Sequence, residues 1–206
     1  KVMAPDRCRH YVGGVFPLST DRLLLRLMRL DDGATVAAYR NDPAVAVFQD
    51  WPVPYTEAMY AERFAAASAR QFDLAGGVNL AIEADGVLVG DLYLRLDDGL
   101  ADIGWTLSLP AQGRGYVTEA ASAVVDMLFG QLGAHRLHAS MHPDNVASAR
   151  VCEALGMTFE SITRLTFKGP DGWEDDAHYS MVRADWESWR DRPRNPPADV
   201  RLVGHR

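Results

Sequence analysis

Gln112-Gly113-Arg114-Gly115-Tyr116-Val117-Thr118-Glu119-Ala120 joins the end of a strand pattern to the start of a helix pattern. Its two glycines let the backbone come close to a ligand, because no Cβ stands in the way. Downstream, Ala121, Val124, Val125, Leu128, Phe129 and Leu132 recur three and four apart, and Gly133 ends the run, so a helix begins near Gly115 or Tyr116. The N–H groups of its first turn have no partner within the helix, and the positive end of the helix dipole lies behind them. That is an anion site best matched to phosphate, to which Arg114 would add a charge-assisted contact. Two phosphate loops are excluded. A dinucleotide fingerprint needs a third glycine where Thr118 stands, inside a βαβ unit, and a P-loop needs Gly-Lys-Ser/Thr. The remaining alternative is a plain tight turn before a helix.

The strands ahead of the loop form an antiparallel meander. Val78–Ala84, Val87–Leu96 and Leu100–Leu109 are separated by Asp85-Gly86 and Asp98-Gly99, both tight-hairpin signals. Further upstream, alternating Leu23, Leu25 and Leu27 predict a first strand. Asp31 or Asp32 caps a helix through Tyr39, and Thr56 caps an Ala-rich helix to about Arg70. Between these helices, Phe48, Trp51 and Tyr55 line an acceptor pocket or belong to the core. Beyond the loop, Arg136–Met141 reads as a strand, Asn145 caps a helix that stops at Gly156, and strands over Thr158–Lys168 and Trp173–Val182 flank the turn at Gly169-Pro170-Asp171-Gly172. A short helix covers Ala184–Trp189. The expected organisation is one domain over 20–190, with a loosely ordered lead-in at 1–19 and a flexible Pro/Arg-rich tail at 191–206.

The 206 residues are 48% hydrophobic and 24% charged, enough apolar content for a sizeable core. There is no apolar run long enough to span a membrane and no secretory apolar core in Lys1–Thr20. Cys8 and Cys152 are too few for a disulfide scaffold, which fits a reducing, cytoplasmic setting. A net charge of −7 argues against a nucleic-acid partner and suits a cationic one. His138 and His142 would share a strand face while His135 would not, and no ligand set completes a metal site, so no metal is expected.

The central segment resembles the acyl-CoA signature of the GNAT superfamily, Gln/Arg-x-x-Gly-x-Gly/Ala, with Gln112, Gly115 and Val117 in its defined positions. Val117 departs from the usual Gly or Ala without blocking backbone donation. Gly115-Tyr116-Val117-Thr118-Glu119-Ala120 looks like the RimJ/RimL-like branch, which acetylates ribosomal-protein N-termini. His142-Pro143-Asp144-Asn145-Val146-Ala147-Ser148, then Leu155-Gly156-Met157, is similar to that branch's Pro-x-Asn-x-x-Ser ahead of Leu-Gly-Phe. The strand Ala101-Asp102-Ile103-Gly104-Trp105, and Asp176 with Tyr179, complete a likeness that runs from about Asp21 to Trp189.

The resemblance implies an α/β (α+β) fold whose mixed, mostly antiparallel sheet has a splayed strand pair flanked by helices. It implies an acetyl-CoA-dependent N-acetyltransferase in which the amine attacks directly in a ternary complex. Backbone groups of Leu107 and Leu109 would pair with pantetheine, and those of Gln112, Gly113, Arg114, Gly115, Tyr116 and Val117 would hold the pyrophosphate. Asn145 would bond the pantetheine arm, and Ser148 would contact CoA or the leaving sulfur. An N–H near Ile103–Trp105 would stabilise the oxyanion. Because a protonated amine has no lone pair, a base is needed; Asp102 is the first candidate, ahead of Glu83 and Asp91. Many GNAT enzymes place a Tyr acid where Cys152 stands, and Cys152 reads as a small buried residue. His142, Trp51 and Tyr55 are the expected substrate contacts. The acceptor is a protein N-terminal α-amine or a small amine such as an aminoglycoside, polyamine or amino-acid derivative. A CoA-binding sensor without catalysis is the reading of another class, and a homodimer is plausible.

Overall fold

The computed structural model describes residues 15–169, 172–192 and 201–202. Its sheet has nine strands: β1 Leu18–Ser19, β2 Leu23–Leu27, β3 Val78–Ala84, β4 Val87–Asp97, β5 Leu100–Leu107, β6 Arg136–Met141, β7 Thr158–Gly169, β8 Gly172–Val182 and β9 Arg201–Leu202. Their spatial order is β7-β8-β6-β5-β4-β3-β2-β1-β9. Among the described residues six α-helices accompany them: α1 Gly33–Arg40, α2 Pro43–Ala46, α3 Glu57–Ala69, α4 Tyr116–Gly130, α5 Val146–Ala154 and α6 Arg183–Arg190. No helix among the described residues is long and apolar enough to cross a membrane.

The two hairpin turns work as their sequences require. Asp85 and Gly86 have φ of 51° and 75°, and Asp98 and Gly99 have φ of 48° and 80°. Positive φ at both central residues matches the twist of the strands on either side. Apart from a bulge where Ile82 opposes Gly90 and Glu83 opposes Leu88, the meander then alternates. Leu92, Leu94 and Leu96 are buried in the main core, which also takes Ala120, Val124, Leu128 and Phe129 of α4. Asp91, Tyr93 and Arg95 point to the other face. There α1 and α3 form a second core with Val36, Tyr39, Trp51, Tyr55 and Tyr60.

Two elements depart from the sequence reading. α2 is only four residues, held by the Asp42 carboxylate accepting from Ala44 N–H at 2.9 Å. Asp32 does not cap α1 with its side chain. Its carboxylate takes Arg26 at 2.8 Å instead, and Arg26 also pairs with Glu83 at 2.6 Å. Burial raises the Asp32 pKa, but the Arg26 hydrogen bond and the Arg29 N–H outweigh it and hold the carboxyl below its ordinary range. Leu18–Ser19 pairs with Arg201–Leu202, so the sheet takes two residues from the expected lead-in and two from the expected tail. The rest of both segments lies outside the described residues, as does Pro170-Asp171 of the last turn.

All strand pairs are antiparallel except β5 with β6, which run parallel over Leu100, Ala101 and Asp102 opposite Arg136, Leu137 and His138. Beyond Asp102 they separate, because β6 continues with β8 while β5 stays with β4. The splay opens over Ile103–Leu107 on one side and Ala139–Met141 on the other.

Candidate active site

Strand geometry dictates what the splay exposes. Ser108 N–H donates to Val89 O at 2.9 Å, and alternate residues of an antiparallel pair exchange their bonds. Backbone groups of Asp102, Gly104 and Thr106 therefore face β4, and those of Ile103, Trp105 and Leu107 face the gap. Trp105 spans that gap with its side chain: its indole N–H donates to Ser148 Oγ at 3.2 Å. Ser148 thus accepts at its oxygen, and its own O–H meets no acceptor among the described residues. Asn145 caps α5 by accepting from Ser148 N–H at 3.1 Å.

The glycine loop supplies the donors. Gly113 and Gly115 have φ of 74° and 77°, and a Cβ at Gly113 would meet open space. The first helical bond is Glu119 N–H to Gly115 O. From Gly113 through Thr118, no backbone N–H finds an acceptor among the described residues. Such unpaired groups at a helix start are suited to phosphate oxygens. Arg22, which the sequence reading passed over, secures this loop. Its Nε donates to Glu119 at 2.7 Å, its Nη1 to Arg114 O at 3.0 Å, and its guanidinium lies 4.9 Å from the Tyr116 ring centre. Only the acidic residue in the first turn of α4 hinted at such a partner.

A chamber of about 430 Å³ lies between the loop and α5, lined by Trp105–Leu107, Gln112, Gly113, Gly115–Thr118, Asn145 and Ser148, with Ala44, Val45 and Val47–Gln49 as its other wall. A second chamber of about 360 Å³ opens on the opposite side of Trp105 and shares Phe48, Gln49, Trp105, Asn145 and Ser148 with the first. Its floor is the face of β5, β6 and β8 that neither α1 nor α3 covers, and that face is polar. Arg95 Nε donates to Asp102 at 2.9 Å, Asp102 meets His138 Nδ1 at 3.2 Å, His138 Nε2 meets His178 Nδ1 at 3.0 Å, and His178 Nε2 meets Thr163 Oγ1 at 2.7 Å. A single tautomer assignment satisfies the whole chain. Each imidazole carries its proton on Nδ1, His138 donates to Asp102, His178 donates to His138, and Thr163 donates to His178.

The expected site residues divide between these places. Leu107, Gln112, Gly113, Gly115, Tyr116, Val117, Asn145 and Ser148 line the first chamber, and Asp102 and His142 the second. His142 stacks on Phe48, with ring centres 5.2 Å apart. Leu109 and Arg114 line neither chamber; the Leu109 carbonyl is taken by Gln112 N–H, and the Leu107 carbonyl by the Gln112 side chain. Trp51 and Tyr55 are corrected: they are 6% and 2% exposed and line neither chamber. They pack on the Arg40 guanidinium, 4.5 and 4.8 Å away, as part of the second core. The other base candidates are structural too, Glu83 in its pair with Arg26 and Asp91 buried with Arg40. Cys152 is fully buried, and burial pushes its thiol up to about 12, so it is no nucleophile at neutral pH. No metal-binding group of three or more His, Cys, Asp or Glu forms among the described residues.

A splayed parallel pair beside a glycine-rich helix start defines an acyl-CoA transferase, and the comparisons agree. The family model described as an acetyltransferase (GNAT) domain matches residues 22–158, more than half of the sequence, and the chain belongs to that family of N-acetyltransferases. It is 27% identical over 173 residues to YnaD, an uncharacterised N-acetyltransferase of Bacillus subtilis, covering 82% of this chain and 98% of the relative. Among solved structures, the ribosomal-protein-S5-alanine acetyltransferase of Vibrio fischeri superposes with a TM-score of 0.71 at 22% identity, over 83% of this chain and 98% of that one. RimJ of Mycobacterium smegmatis, in complex with CoA-disulfide, also gives 0.71 at 22% identity, over 82% and 87%.

Proposed function

We propose that this enzyme acetylates the α-amine at the end of a protein chain, with acetyl-CoA in the first chamber and the chain end entering the second. The observation that carries this reading is the uncovered polar face. A hydrogen-bonded Asp102–His138–His178 relay lies in the open beside the splay, where an extended chain end can reach it. Of the two structures named above, one is by its name a ribosomal-protein acetyltransferase and the other is a RimJ that holds CoA-disulfide. Acetyl-CoA supplies an activated acetyl group. The residues present fit it, because the unpaired N–H groups of Gly113–Thr118 suit its pyrophosphate and the unpaired edge of β5 suits its amide-bearing arm.

The chain's own residues then divide the work. Asp102, with His138 hydrogen-bonded behind it, takes the proton that the amine must lose, a smaller demand for an α-amine near pKa 8 than for lysine near 10.4. The Trp105 N–H faces the gap, where it meets charge developing on the carbonyl oxygen. Ser148 donates its free O–H towards the departing sulfur. One proton of the ammonium passes to the relay; the C–N bond then forms as the C–S bond breaks, and the second proton leaves the nitrogen for the departing thiolate, giving CoA thiol.

The test is thiol release from acetyl-CoA against alanine- and serine-starting peptides, spermidine and an aminoglycoside. Release with the peptides at least tenfold above the small amines is expected; release with small amines alone would move the reading to a small-molecule acceptor. The donor site has its own check. Val117→Pro removes one N–H in a first helical turn that tolerates proline. A hydrogen bond to a charged group contributes about 1.5–3 kcal/mol, so KM for acetyl-CoA should rise about 10- to 100-fold with kcat largely kept. An unchanged KM would remove these N–H groups from the pyrophosphate site.

A further inference from the structure

Asp176 on β8 lines the second chamber, yet the proton relay does not use it. The residue is 8% exposed, and its Oδ1 is buried with no hydrogen-bond partner. Its nearest cationic candidate, His178 Nε2, lies 3.9 Å from Oδ2, beyond hydrogen-bond reach, and that nitrogen already holds Thr163 Oγ1 at 2.7 Å. Lys168 sits over the Trp173 ring instead. No arginine or lysine among the described residues pairs with Asp176. Buried carboxylates are nearly always satisfied, and an orphan one is costly, so this one takes a partner other than the described side chains, a water or a ligand of the chamber.

The rest of the chamber says what kind of partner. The titratable groups around Asp176 among the described residues are His178 and Glu174 on its own strand, His138 on β6, His142 just past its end, Asp102 on β5, Tyr93 on β4 and Asp50 on the α2–α3 connection. Both ring nitrogens of His138 and of His178 already hold partners within the relay, so neither ring offers Asp176 a hydrogen bond. His142 Nδ1 accepts from Asp144 N–H at 3.1 Å, and its Nε2 lies 3.9 Å from Glu174. Among the described residues Arg95 pairs with Asp102 at 2.9 Å and no arginine or lysine pairs with Asp176, so the chamber floor holds more carboxylate than fixed cation.

We infer that Asp176 is the ammonium-binding residue of the acceptor subsite: the amine enters as a cation, is held by this carboxylate, and is recognised by its charge before it gives up a proton to the Asp102–His138 relay. The inference rests on the acceptor reading above and deepens it, because it separates the group that selects the amine from the group that deprotonates it. Asp176 is accordingly a specificity residue, and its loss acts on amine binding more than on turnover.

Steady-state thiol release with the best acceptor decides the matter. Asp176→Asn should raise KM for the amine about 10- to 100-fold, the loss of one charge-assisted bond, with KM for acetyl-CoA unchanged. Between pH 6 and 9 the wild-type amine KM should stay flat below the amine's own pKa. In the variant it should fall as pH rises, because the neutral amine becomes the better ligand. Asp176→Glu should restore part of the lost affinity. An unchanged amine KM, or equal rises in KM for both substrates, would overturn the inference while leaving the transferase reading in place. Should Asp176→Asn not fold, the wild type alone still answers. By calorimetry in the presence of CoA, n-butylammonium should bind at least tenfold more tightly than n-butanol, and equal binding would refute cation recognition. That arm stands without turnover, so an enzyme inactive on every amine yet selective for butylammonium would refute the acceptor reading and keep Asp176.

Discussion

Asp102→Asn is expected to lower kcat/KM by about 10²- to 10⁴-fold, the usual contribution of a positioned base, while acetyl-CoA binding by calorimetry stays unchanged. The substitution preserves the side chain's shape and its ability to accept a hydrogen bond. It removes the charge that holds His138 with its proton on Nδ1, and it removes the final resting place of the amine's proton. Stability should change little. The Arg95 and Asp102 side chains are 34% and 37% exposed, and solvent-exposed pairs of this kind contribute about 0–1 kcal/mol. A large kinetic loss in a protein of unaltered melting temperature is therefore the signature. Activity within about threefold of wild type would mean that the proton leaves by another route.

Asp91 gives the opposite pattern. It is 3% exposed and accepts from Tyr39 Oη, from Asn79 Nδ2 at 2.6 Å and from Arg40 Nη2 at 3.4 Å. Burial and the Asp91 charge together push the Tyr39 phenol well above its ordinary pKa, so it stays a donor at every working pH. Asp91→Leu leaves the Arg40 cation buried between Trp51 and Tyr55 with no counter-charge. Breaking a buried pair from one side costs about 3–5 kcal/mol. For a chain of this size that is roughly 6–20 °C in melting temperature. Pairing Asp91→Leu with Arg40→Met should recover most of the loss, because replacing both partners removes the stranded charge. Urea denaturation measures both variants, and a single-variant loss below about 1 kcal/mol would show that the cluster is not held by this pair.

These two carboxylates also mark what the sequence makes legible. Asp91 and Asp102 lie on neighbouring strands of a meander that the Asp-Gly turns announce, because only residues tolerant of positive φ serve there. Alternation and turn chemistry are local, and they place β3, β4, β5 and α4 to within two or three residues at each end. Which carboxylate is free to do chemistry is not local. Arg40 reaches Asp91 from a helix 51 residues away in the sequence, and His178 reaches His138 across the β6–β8 register 40 residues on. Arg22 and Glu119 are separated by 97 residues. Trp51 and Tyr55 mislead for the same reason. Aromatic residues in an aperiodic stretch declare that something is packed there, but the buried Arg40 decides on which side. α2 has too few residues to show a period, so its contribution to the first chamber goes unseen in the sequence.

The short parallel contact between β5 and β6 has a mechanical side. Three residue pairs join the half of the sheet that carries the loop to the half that carries β6, β7 and β8. Within the sheet this is a narrow join, and α4, packed against α5 and α6, braces it from one face. A ligand that fills the splay would add a second brace, on the side where the two strands have parted.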